Sequence, residues 1–113
     1  MPPERRRAGR YACVANIELT DVESEDKMRE QTCDLSLFGC QVRTANPWAV
    51  GRRVHLKIFH RGKSFIANGR VAHVQDSGMG VEFTNVADKD SIVLEEWVAE
   101  LREKVADAHR AEV

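Results

Sequence analysis

The chain has 113 residues, of which 42% are hydrophobic and 31% charged, and its formal net charge at pH 7 is -1. This length provides one compact domain with one hydrophobic core and excludes a catalytic domain joined to a separate regulatory one. The composition is that of a folded globular protein, and no apolar run approaches the ~20 residues that cross a bilayer.

The first ten residues are predicted to form a flexible, arginine-rich arm. Residues 1–10 contain prolines and arginines with few apolar side chains, which is typical of a segment that enters a domain from outside. No apolar stretch follows the arginines, so the segment does not resemble a signal peptide, and we expect a cytoplasmic protein. We expect a single domain over residues 11–108 and a short tail over residues 109–113.

Six short strands are predicted after the arm. From Tyr11 to Leu19, apolar residues alternate with polar ones, a period of two that is typical of a half-buried strand. Further strands are predicted over residues 28–33, 39–44, 54–58, 65–74 and 79–83. Turn residues separate these strands and no helical pattern interrupts them, so we expect an antiparallel barrel or sandwich.

The C-terminal region is different in kind. Its apolar residues recur every four positions, at Val93, Trp97, Leu101 and Val105. This spacing predicts an amphipathic helix of about four to five turns that lies on the sheet, with Trp97 and Leu101 at the contact. One of three residues is expected to cap its start: Asp88, Asp90 or Ser91. The predicted fold class is therefore all-β with a C-terminal α-helix.

Metal and enzyme signatures are absent from the sequence. The three cysteines Cys13, Cys33 and Cys40 form no C-x-x-C pair, and we interpret them as reduced, mostly buried thiols. The histidines show no zinc-type spacing, and no G-x-S-x-G or H-E-x-x-H motif is present. We expect neither a metal site nor a cofactor, and we do not expect an enzyme.

The charges are segregated, and the basic part is the first candidate for a binding element. Four arginines lie within six residues, Arg5, Arg6, Arg7 and Arg10. Their planar, permanently charged forks suit bidentate contact with phosphate or with the acceptor edge of guanine. Taken alone, the run equally fits a solvated basic arm that binds nucleic acid or lipid headgroups through charge.

The second candidate element is the turn between the second and third predicted strands. Here Asp34 can accept hydrogen bonds from the Watson–Crick edge of a guanine, and Ser36 can donate or accept beside it. Gly39 permits either a positive φ or a close approach that a side chain forbids. Taken alone, this segment equally fits a hairpin whose polar groups satisfy only their own turn.

Together the two elements resemble the PilZ family. Arg6 and Arg10 make an R-x-x-x-R pattern, and some two dozen residues later Asp34, Ser36 and Gly39 make an intact D-x-S-x-x-G. The resemblance continues through G-R-V-A-H-V at 69–74, G-M-G-V-E-F at 78–83 and the closing helix, so it covers nearly the whole chain. It implies a six-stranded antiparallel β-barrel that binds the bacterial second messenger cyclic di-GMP.

The resemblance also assigns roles to residues. It implies that Arg6 and Arg10 clasp the phosphates and guanine edges, that Asp34 and Ser36 contact a guanine, and that Gly39 keeps the surface open. Arg5 and Arg7 exceed the minimum pattern, so the ligand is expected as one molecule or as a stacked pair. Binding is expected to order the arm and to signal to a separate effector protein.

Two alternatives of other classes stay open. One is a nucleotide-independent interaction protein of pilus or flagellar machinery. The other is a barrel that binds RNA or DNA through the basic arm, which the lack of clustered strand aromatics disfavours. We expect neither a polymeric nucleic acid as ligand nor insertion into a membrane.

Two features have conditional interpretations. Trp48 is a candidate partner contact if its ring is exposed. The acidic loop around Glu23 and Glu25 is either solvated or paired with the arginine arm when no ligand is bound.

Overall fold

The computed structural model describes residues 9–111, with side chains described up to residue 106. The strands are Tyr11–Ala12 (β1), Asn16–Asp21 (β2), Lys27–Leu35 (β3), Gly39–Arg43 (β4), Arg53–His60 (β5), Lys63–Gln75 (β6) and Gly78–Asn85 (β7). One helix follows them, Asp88–Ala111 (α1).

Strands β2 to β7 form a closed six-stranded antiparallel barrel. The order around the barrel is β3-β2-β5-β6-β7-β4, and β4 pairs with β3 to close it. β3 is long enough to serve both neighbours, since its first half pairs with β2 and its second half with β4. The predicted barrel with its C-terminal helix is confirmed, and the two-residue β1 extends it beside the end of β3.

The first predicted strand is divided into β1 and β2. Between them, residues 13–15 do not belong to a strand, and the buried side chain of Thr32 on β3 forms hydrogen bonds with this segment. Its Oγ1 donates to the carbonyl oxygen of Cys13 (2.7 Å) and accepts from the backbone N–H of Ala15 (3.0 Å). One hydroxyl thus satisfies two buried backbone groups that the interrupted ladder does not pair.

The barrel core is built from alternate, inward-facing side chains. Its largest fully buried members come from every strand of the closed barrel: Ile17, Leu19, Leu35, Val42, Val54, Leu56, Ile58, Phe65, Val71, Met79 and Val81. Because the side-chain period of a strand is two, the intervening residues face outward and form the surface on which a ligand can bind.

Helix α1 covers one end of this core. Trp97 is buried and meets Phe65 of β6 edge to face, with ring centroids 5.4 Å apart. Leu94 and Val98 are buried beside it, and Leu101 is partly buried against the same core. The predicted docking through Trp97 and Leu101 is confirmed. None of the described helices is long and apolar enough to cross a membrane.

The helix begins at Asp88, whereas the apolar spacing starts at Val93. Its 24 residues also exceed the predicted length of about four to five turns. Asp90 does not cap the start, because its carboxylate accepts the backbone N–H of Ile66 (3.1 Å) and so attaches the first turn to β6. The Ser91 hydroxyl donates to the carbonyl of Val86 at 3.4 Å. Asp90 therefore attaches the first turn of the helix to the barrel, whereas Ser91 attaches it to the short connection that follows β7.

Replacing Thr32 with valine should lower the free energy of unfolding by about 2 kcal/mol or more, because two buried backbone groups lose their partner. Urea unfolding followed by circular dichroism measures this loss. The matched variant is Thr20→Val on β2, where the side chain is half-buried and a change within about 0.5 kcal/mol is expected. Equal stability of the two variants would contradict the assigned role of Thr32.

Candidate functional site

A surface cleft lies where the N-terminal segment meets the barrel. Its volume is about 530 Å³. Three parts of the chain line it: the segment before β1, the turn between β3 and β4, and the adjoining faces of β6 and β7. The lining residues are Gly9, Arg10, Ser36, Phe38, Gly39, Ala72, His73, Gly80, Val81 and Glu82.

Arg10 enters this cleft from a segment whose position is fixed just behind it. Arg10 is exposed, while the following Tyr11 is half-buried and packs against the barrel core. The Tyr11 hydroxyl accepts a hydrogen bond from Nε of Arg102 on α1 (3.3 Å), and its ring lies close over Gly9. Helix α1 thus helps to set the direction in which the chain leaves the barrel at Arg10.

The turn after β3 is organised around the hydroxyl of Ser36. This side chain is 4% exposed, and its Oγ accepts from the backbone N–H groups of Phe38 (3.1 Å) and Gly39 (3.2 Å). The backbone N–H of Ser36 also donates to the carbonyl of Gly39 (2.9 Å). Ser36 therefore shapes the turn, and its direct contact with a guanine stays a prediction.

Asp34 lies at the point where the ladder between β3 and β4 is irregular. The register shifts between Thr32 and Asp34, and the half-buried Asp34 accepts the backbone N–H of Gln41 through Oδ1 (3.0 Å). Asp34 is not among the residues that line the cleft. The carboxylate binds β4 beside the turn, and its contact with a guanine stays a prediction as well.

Gly39 is required by a close approach between strands. A Cβ atom at this position would collide with the carbonyl oxygen of Val81 on β7. The alternative explanation, a positive φ, is wrong, because the glycines with positive φ in the described part of the chain are Gly51 and Gly62. Glycine at position 39 lets β4 and β7 pair closely beneath the cleft.

Sequence reasoning did not assign roles to His73, Gly80 and Glu82 in this cleft. The His73 ring lies directly over Gly80, where a Cβ atom would overlap it, and its Nε2 is 3.0 Å from Oε1 of Gln41. Glu82 is half-buried, with Oε1 at 3.4 Å from Nη2 of Arg70. The strand motifs at 69–74 and 78–83 contain these residues, but only the barrel brings them beside the turn.

The cysteines are free thiols. Burial raises the pKa of Cys40 strongly, the charge of Asp34 raises it further, and the charge of Arg10 opposes the rise. Burial also raises the pKa of Cys13. Both thiols are therefore protonated at neutral pH. The predicted burial holds for Cys13 and Cys40, while Cys33 is half-buried.

Trp48 and the acidic loop both contact the barrel. Trp48 is partly buried against the core rather than fully exposed. Glu23 pairs with Arg53 of β5 at 3.6 Å, so this acidic side chain has a partner on the neighbouring strand β5.

Within residues 9–106, no three His, Cys, Asp or Glu side chains are grouped so that they could hold a metal ion.

Of the predicted site residues, the barrel brings Arg10, Ser36 and Gly39 together in one cleft, with Asp34 beside them. The remaining three predicted residues, Arg5, Arg6 and Arg7, lie outside the described part of the chain.

A model of the PilZ domain matches residues 4–100 of the sequence. The chain belongs to the PilZ domain family. The match includes the arginine run, the turn and about the first half of the helix, so the PilZ resemblance identified from the motifs is confirmed. No curated protein matches the chain.

Solved PilZ structures share the fold at low sequence identity. The PilZ domain of CeSA from a cellulose-synthesizing bacterium is 16% identical with a TM-score of 0.70, over 84% of this chain and 99% of that one. The PilZ domain of Escherichia coli YcgR, solved with c-di-GMP, is 17% identical with a TM-score of 0.71, over 94% of this chain and 98% of that one.

A longer protein also contains the same barrel. The Bacillus subtilis inhibitor of motility, MotI/DgrA, is 18% identical with a TM-score of 0.74, over 92% of this chain. This chain spans 57% of the MotI/DgrA chain. The similarity therefore concerns the PilZ barrel and not the whole of that protein.

Gly39→Ala should lower the free energy of unfolding by about 3 kcal/mol, because the added methyl group meets backbone that must shift. Gly62→Ala is the matched control, since a Cβ atom there meets open space and only its positive φ costs about 1 to 2 kcal/mol. Urea unfolding of both variants measures the difference. A smaller loss for Gly39→Ala than for Gly62→Ala would show that the close approach at Gly39 is not a constraint.

Proposed function

We propose that this PilZ domain is a cytoplasmic receptor for cyclic di-GMP. The observation that carries the proposal is the cleft in which Arg10 faces the turn built on Ser36 and Gly39. A permanently charged guanidinium and a rigid, hydrogen-bonded turn thereby border one surface that is large enough to hold a nucleotide.

The ligand's chemistry matches the groups at this cleft. Its two phosphates carry a charge of about -2, and charge-assisted bonds from arginine contribute about 1.5 to 3 kcal/mol each. A guanine also presents N–H donors on its Watson–Crick edge, which suit a carboxylate such as that of Asp34. The PilZ domain of Escherichia coli YcgR has been solved with c-di-GMP, which supports the choice of this ligand.

The arginine run completes the proposed site. We assign Arg6 and Arg10 to the clamp on the phosphates and guanine edges. The ligand binds as one molecule or as a stacked pair, and in a pair Arg5 and Arg7 hold the second molecule by lying over one of its bases. Ligand binding then orders residues 5–10 across the cleft and creates a surface that a separate effector recognises.

Arg10→Ala should weaken binding of cyclic di-GMP by about tenfold to a hundredfold, as measured by isothermal titration, because one charge-assisted contact is lost. Asp34→Asn should weaken it comparably. The amide keeps an oxygen that can accept from Gln41, but it loses the negative charge that a guanine edge favours.

Arg29→Ala is the matched control, because Arg29 is exposed on β3 and lines a different groove of the barrel. Its affinity should equal that of the unchanged protein. An absence of binding heat with the unchanged protein would refute the receptor function and favour a nucleotide-independent interaction protein. The titration also gives the stoichiometry, which distinguishes one ligand molecule from a pair.

Ordering of the arm is tested by limited digestion with trypsin, which cleaves after arginine. Saturating cyclic di-GMP should slow cleavage after Arg6 and Arg7 at least severalfold, because a bound and ordered segment does not fit a protease site. Mass spectrometry follows the products, with cleavage after the exposed Arg61 as an internal reference. Equal cleavage rates after Arg6 and Arg7 with and without ligand would contradict the ordering step.

A further inference from the structure

Phe38 is an aromatic side chain that the fold places at the cleft instead of in the core. It is 43% exposed and lines the cleft with Arg10. Its neighbours in the turn behave differently, since Leu35 is 1% exposed and Leu37 is partly buried against the core. The turn therefore directs its first two apolar residues toward the barrel and the third toward solvent.

The backbone that carries Phe38 is fixed on both sides. Its N–H donates to Oγ of Ser36 (3.1 Å), and its carbonyl accepts from the backbone N–H of Phe83 on β7 (2.7 Å). Phe83 is itself anchored, since its ring meets Phe65 of the core edge to face at 5.6 Å. An exposed ring on so constrained a backbone loses little freedom when a flat ligand packs against it.

We propose that Phe38 binds the ligand by stacking its ring on a guanine base of cyclic di-GMP. This inference rests on the proposed function and adds a binding residue to it. Arg10 supplies charge for the phosphates, whereas Phe38 supplies the apolar face that a base needs. Stacking of a base on an aromatic ring also removes the exposed phenyl surface from water.

The surroundings of Phe38 fit a base better than an apolar partner. The cleft is lined by the charged or polar side chains of Arg10, His73 and Glu82 as well as by glycine and small apolar residues, so polar groups lie beside the Phe38 ring. A planar base with polar edges matches such a site, because its faces stack while its edges form hydrogen bonds.

The test is isothermal titration of the full chain with cyclic di-GMP, using Phe38→Ala, Phe38→Trp and the control Val22→Ala. Phe38→Ala should weaken binding by about tenfold or more. Phe38→Trp should keep the affinity, and its added indole should give a ligand-dependent quenching of fluorescence beyond that of Trp48 and Trp97. Val22 is exposed and outside the cleft lining, so its truncation should change nothing.

The outcomes separate the two levels of the proposal. If the unchanged protein binds and Phe38→Ala binds equally well, stacking is refuted while the receptor function stands. If the unchanged protein does not bind, the receptor function fails and the role of Phe38 fails with it. Circular dichroism of Phe38→Ala shows whether a loss of binding arises from unfolding. If it does, Phe38→Trp replaces it as the test, and stacking is refuted if this variant binds the ligand without a change in its fluorescence.

Discussion

The pairing of β3 with β4 is the interaction on which the rest of the structure depends. Without it, β3 and β4 would be the two edges of an open sheet, and the barrel would not enclose its core. The hairpin at residues 36–39 makes this pairing local in sequence. Its glycine then allows β4 to approach β7 closely, so one short turn helps to form both ladders of β4.

The proposed binding groups therefore also serve the fold. Ser36 uses its hydroxyl to hold the turn, and Asp34 uses one carboxylate oxygen to hold Gln41. Gln41 in turn reaches His73 through its side chain, which links the turn to the opposite wall of the cleft. Because these groups shape the cleft or lie beside it, the described part of the cleft is formed in the absence of a ligand.

PilZ domains share this barrel at sequence identities below a fifth. The core needs apolar side chains of suitable volume at alternate positions, and many sequences meet that requirement. The close approach at Gly39 and the hydrogen bonds of Ser36 are more demanding, because each depends on one kind of side chain at one position. The side chain of Phe38 is exposed, so the packing of the barrel does not determine which residue occupies position 38. The proposed contact with the ligand would determine it instead.

The sequence alone determined the strand pattern, the amphipathic helix and the two motifs, because alternation and spacing are local properties that burial imposes on each element. It did not reveal the break between β1 and β2, since Cys13, Ala15 and Ile17 keep the period of two through it. Nor did it show that Ser36 is buried or that His73 and Glu82 join the cleft. Those features depend on hydrogen bonds and close contacts between distant segments, such as Thr32 with Cys13, and only closure of the barrel brings these segments together.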